Sequence, residues 1–213
     1  MIMKTIRLSA GIVLLPLTLL TGHVASATDG TSAAKITSVV LVQDNPVLAH
    51  LDNAVASLTK GDKSATTQEL QAGITGLESQ AQTQPTSFKD KLLAQASKLK
   101  ALLPLIPTGA LGNGVLSKAV SLAKLASGGS QLEGILAAGS LLGKGSQLTS
   151  GLSGIGGALS ALGGSTQSSG QSLVSTALAT VGKLDQGGLV AKAAEPAAKT
   201  QVNSVLNFVK GVL

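Results

Sequence analysis

Residues 146–162 read SQLTSGLSGIGGALSAL. Leu148, Leu152, Ile155, Leu159 and Leu162 advance by four, three, four and three, the return period of one face of an α-helix. Beside them Gly151, Gly154, Ala158 and Ala161 advance by three, four and three, so a stripe of large apolar side chains runs next to a stripe of small ones. Each interior glycine costs about 0.8–1 kcal/mol relative to alanine in a helix. An isolated helix of this composition is therefore poor, and the segment becomes helical when something packs on it. The small stripe, Gly151, Gly154, Ala158 and Ala161, is the candidate packing or insertion face, since small side chains let a second backbone approach closely.

The same periodicity recurs on both sides. Leu48, Leu51, Val55 and Leu58 form one stripe, and Leu70, Ile74, Leu77 and Ala81 a second. Phe88, Leu92, Leu99 and Leu103 form a third, with Lys89, Lys91, Lys98 and Lys100 mostly off it. Lys60-Gly61-Asp62 reads as a helix stop, Thr66 or Thr67 as the next cap, and Pro85 as a further break. Residues 104–114 hold Pro104, Pro107, Gly109, Gly112 and Gly114 and read as a linker. Beyond it, helices are expected over 115–127 and 169–184, with Val174, Ala177, Val181 and Leu184 on one face. Pro196 is expected to divide the tail, leaving Ala198, Val202, Val205, Val209 and Val212 as a final stripe. Ser130-Gln131-Leu132 and Ser146-Gln147-Leu148 suggest a weak repeat, each opening a segment. Residues 36–42, rich in β-branched side chains, have no partner strand and read as a short helix or an extended arm.

These stripes predict an all-α protein: a multi-helix bundle of amphipathic helices, with closely packed Gly/Ala-rich helices in the C-terminal half. Four regions follow: 1–27, an N-terminal amphipathic region over 28–103, the Pro/Gly linker 104–114, and a Gly/Ala/Leu-rich helical region over 115–213. The first region carries Lys4 and Arg7, then an apolar run, then Ala25-Ser26-Ala27. That is the three-part pattern of a cleavable signal peptide, so the product is expected to be exported, extracellular or periplasmic, and to start at Thr28. The apolar run is about half the roughly 20 residues that a membrane span needs.

Composition excludes several chemistries. The chain has no cysteine, hence no disulfide framework and no lipid acceptor. Past the leader it has no Arg, and its aromatics are Phe88 and Phe208. Nucleic-acid reading and base stacking lose their usual side chains, and a membrane β-barrel loses its aromatic girdles. One histidine, His50, follows the leader, too few for a His-based triad or zinc site. Gly143-Lys144-Gly145 lacks the first glycine and the hydroxyl residue of a phosphate-binding loop. No catalytic, cofactor-binding or metal-binding residue is therefore expected.

Charge is uneven: seven acids face four lysines over 28–90, and ten lysines face three acids over 91–213. The second half thus suits an anionic surface or the acidic first half, unless its lysines merely solvate helix faces. The functional expectation is a secreted, non-enzymatic helical protein acting on a protein, an envelope surface or a membrane surface, with self-association also open. The alternative is a glycine-zipper protein, pore-forming or bacteriocin-like, that inserts a hairpin over 134–164 into a membrane.

Overall fold

The computed structural model describes residues 45–83 and 86–213. The expected signal peptide, the 36–42 segment and the expected break at Pro85 lie outside the described residues. Within them the chain is helical throughout, without a strand: α1 (Pro46–Thr59), α2 (Lys63–Thr83), α3 (Lys89–Leu102), the one-turn α4 (Leu105–Thr108), α5 (Asn113–Ala137), α6 (Gly145–Leu162), α7 (Gly164–Val181), a 3-10 turn (Leu184–Gln186) and α8 (Gly188–Val212). The expected all-α multi-helix bundle is what the chain forms.

Local chemistry sets the boundaries. Asn45 caps α1, its Oδ1 accepting the Val47 N–H at 3.1 Å, and Pro46 follows at the first helical position, where its missing N–H costs nothing. The helix closes on a Schellman motif: the Gly61 N–H bonds Leu58 O at 3.0 Å and the Asp62 N–H bonds Ser57 O at 2.9 Å. Asp62 then opens α2 by accepting the Ala65 N–H at 2.9 Å. This corrects the expected cap. Thr66 and Thr67 already lie inside α2 and bond back to Asp62 O and Lys63 O, because Asp62 takes the capping role four residues earlier.

The helices pack as two rings that share one member. In the first, α1, α2, α3 and α5 contact one another in a closed cycle; in the second, α5, α6, α7 and α8 do the same. Each ring has its own core. Leu51, Leu70, Leu77, Leu92, Leu99, Leu116 and Val120 fill the first. Leu132, Leu148, Leu152, Ile155, Leu159, Val181, Val202 and Val209 fill the second. The 25-residue α5, roughly 37 Å long, gives its first half to one core and its second half to the other.

Its centre is enclosed from both sides. Residues 125–130, Leu-Ala-Ser-Gly-Gly-Ser, are six consecutive buried positions. A side chain larger than glycine does not fit at two of them: a Cβ at Gly128 would lie 2.9 Å from Ile155 Cγ1, and one at Gly129 would collide with the Phe88 ring. The helix expected to end at Ser127 therefore runs ten residues further. Gly128 and Gly129, just past that expected end, are the seats of Ile155 and Phe88. The Ser130-Gln131-Leu132 and Ser146-Gln147-Leu148 segments are not equivalent units: the former lies inside α5 and the latter starts α6.

Two further corrections concern proline. Residues 104–114 interrupt the long helices, yet they hold α4, and Ile106 and Leu111 are buried in the first core. Pro196 does not divide the tail; it lies inside a continuous α8. Its ring forfeits one backbone bond, while Ala191, Ala194, Ala198 and Val202 on either side of it are buried on the core face and hold the helix together.

Glycine also shapes the first ring, which the sequence reading assigned only to the second. A Cβ at Gly73 would lie 2.6 Å from Leu51 Cδ2, and one at Gly76 would lie 2.5 Å from Val47 Cγ2. Here α1 and α2 approach closely.

Candidate interaction surface

The predicted small stripe is only partly a contact. Gly151 is buried on α6 and a Cβ there would lie 2.8 Å from Leu132 Cδ2 of α5; Ala158 is buried in the second core. Gly154 has open space where its Cβ would stand, and Ala161 is exposed. Helical geometry explains the split. At 3.6 residues per turn, Ala158 sits about 20° from Gly151 around the axis, whereas Gly154 and Ala161 sit about 60° and 80° away, past the edge of the buried face. The expectation that Gly154 faces another helix closely is thus corrected.

The polar groups between helices serve the fold. Ser127 Oγ donates to Gln80 Oε1 at 2.8 Å, and Gln80 Nε2 returns a bond to Ser127 O at 3.2 Å, tying α2 to α5. Glu133 on α5 accepts the Ser87 N–H at 3.1 Å and the Ser87 hydroxyl at 2.7 and 2.8 Å, which fixes the entry to α3. Lys210 on α8 lies 3.7 Å from the same carboxylate and over the Phe88 ring. Lys124 joins Asp52 at 2.8 Å across α1 and α5. His50 Nδ1 lies 2.7 Å from Glu69 Oε2, between α1 and α2, half-exposed. No nucleophile is bonded to it among the described residues, nor do three His, Cys, Asp or Glu side chains there gather as metal ligands.

Gly143-Lys144-Gly145 precedes α6, but the Asp185 carboxylate packs against Gly145. An acid thus stands where a phosphate would have to sit, and favourably so at a helix start.

That contact locates one end of the second ring. The 138–144 loop, the start of α6, the 3-10 turn and the start of α8 meet there. Leu141 is buried, and its N–H donates to Glu195 Oε1 at 3.0 Å. Glu195 also pairs with Lys199 at 3.1 Å. The Leu141 bond chiefly, and Lys199 next, hold the Glu195 carboxyl below its ordinary value of 4.5.

Beyond this clasp the surface turns apolar. Leu189 is 84% exposed, Val190 50% and Leu142 38%, and all three are carried by segments that the Asp185–Gly145 contact and the Leu141–Glu195 bond hold at one end of the bundle. Lys144, Lys183 and Lys192 lie on the same segments without an ion pair in the described residues, and Asp185 is the exposed acid there. The stripes mark inward faces and so do not reveal this group; its trace in the sequence is Leu189, out of step with Ala191, Ala194 and Ala198. At the opposite end of α5, Val115 is 56% exposed and Leu105 39%.

Comparison with known protein families, with curated proteins and with solved structures gives no match to this chain.

Proposed function

We propose that this is an exported, non-enzymatic helical protein that works by contact, its folded body meeting a cell-envelope or other anionic and apolar surface. The observation that carries the reading is the end of the second ring, where Leu142, Leu189 and Val190 are exposed on segments whose lysines lack an acidic partner among the described residues. Gln80 with Ser127, Glu133 with Ser87 and Lys124 with Asp52 join helices, which fits a body built to hold a surface rather than to turn over a substrate.

The glycine-zipper alternative has less support. No helix among the described residues is long and apolar enough to cross a membrane. Gly151 and Ala158 already lie in the second core, so insertion of 134–164 would first have to open that core.

The test is binding of the exported protein to envelopes isolated from the cells that make it. Saturable, salt-sensitive binding with unchanged helical circular dichroism is expected. Protein that stays free in the surrounding fluid and never binds envelopes would overturn the reading. The same material should begin at Thr28 by mass spectrometry; an intact Met1 on exported protein would remove the signal-peptide assignment.

A further inference from the structure

We infer that the end of the second ring docks on an anionic lipid bilayer, with Leu142, Leu189 and Val190 entering the headgroup boundary and Lys144, Lys183 and Lys192 set against lipid phosphates. The inference rests on the contact reading above and names the surface.

Three observations favour lipid over a folded partner. First, the apolar side chains protrude rather than line a groove; Leu189, 84% exposed at the first turn of α8, stands clear of its own bundle. A flat, yielding surface receives protruding side chains, whereas a folded partner would need a matching pocket. Second, the charge is complementary. Three lysines and one exposed acid occupy this end, and lysine stems can lie along the apolar boundary while their ammonium groups reach the phosphates. Third, the end is rigidly built. The Asp185 carboxylate against Gly145 and the Leu141–Glu195 bond hold its segments together, so docking needs no rearrangement of the helices.

The opposite end of α5 is the internal comparison. It carries Lys118 as well, and Val115 and Leu105 are as exposed as Val190 and Leu142, but nothing there matches Leu189 at 84%, and Lys63 is bonded to Pro107 O at 3.0 Å.

The experiment is flotation of the exported protein with vesicles of phosphatidylcholine alone or mixed equally with phosphatidylglycerol. The protein should float with the anionic vesicles, lose binding as salt rises, and keep its helical content. Leu189→Gln should weaken binding about tenfold. The triple variant Lys144→Gln, Lys183→Gln, Lys192→Gln should weaken it roughly a hundredfold. Val115→Gln with Lys118→Gln should leave it unchanged. All these positions are exposed or half-buried, and unchanged thermal melting verifies that the variants fold. Failure to float with anionic vesicles, or equal loss from the Val115 and Lys118 changes, would overturn the inference. Binding to isolated envelopes without binding to vesicles would sink the lipid assignment and leave the contact reading standing, with an envelope protein as the partner. Absence of both would remove both.

Discussion

Gln95 is 1% exposed on α3, and among the described residues neither its Nε2 nor its Oε1 has a hydrogen-bond partner. Burying an unpaired amide costs about 1–3 kcal/mol, so Gln95→Met, which nearly conserves volume, should raise stability by about that amount in urea unfolding. A loss of stability would mean that the amide is bonded in solution. The glycines divide just as sharply. Gly129→Ala meets the Phe88 ring and should cost about 1–3 kcal/mol. Gly154→Ala meets nothing and should gain up to about 1 kcal/mol from helix propensity. Thermal melting of the pair checks both signs. This contrast could not be read from sequence, where Gly129 falls just past an expected helix end and Gly154 on the small stripe. Composition states that a residue is small; only the neighbouring helix states whether it needs to be.

Among the elements, the two shortest joints share one construction. Between α6 and α7 the chain turns at Gly163 and Gly164, with φ of +73° and +66°; before α8 it turns at Gly187 and Gly188, with φ of +71° and +59°. The first glycine of each pair has ψ near 180°, a region nearly closed to residues with a Cβ. Gly163→Ala and Gly187→Ala should each cost about 1–3 kcal/mol, although neither Cβ would touch a neighbour; wild-type melting of both would contradict the joint geometry. The 138–144 loop is held differently, through the Glu195 carboxylate. Because folding depresses this carboxyl's pKa, its contribution is present above the ordinary value of 4.5 and is lost as pH falls through the lowered folded value. The protection factor of the Leu141 amide, its exchange relative to an unstructured peptide at the same pH, should therefore fall on acidification in the wild type and be low at every pH in Glu195→Ala. Helical stripes made most of these elements legible: Leu70, Ile74, Leu77, Ala198, Val202 and Val209 are all buried where the three-and-four spacing places them. Ends were less legible, because Pro196 and Gly128 are tolerated through contacts made by residues far away in sequence.

On the scale of the whole molecule, sharing α5 couples the two cores. Calorimetry should give a single transition with matching calorimetric and van't Hoff enthalpies, and Ala126→Pro, at the buried centre of α5, should unfold both rings. Two resolved transitions would show that the rings melt separately. The surface group at the end of the second ring was not legible in the sequence, since exposure of Leu142 and Leu189 depends on how four separate segments meet. Sharing one helix also sets an order of assembly for a chain that emerges from its N-terminus. The first ring needs long-range closure, with Asn45 bonded to Ser127 across 82 positions, so it closes only once α5 has appeared. When they gather on it, Leu132 and the far side of α5 still face water, because α6, α7 and α8 have yet to arrive. In that interval the half-built molecule presents a greasy flank long enough to catch a sibling chain.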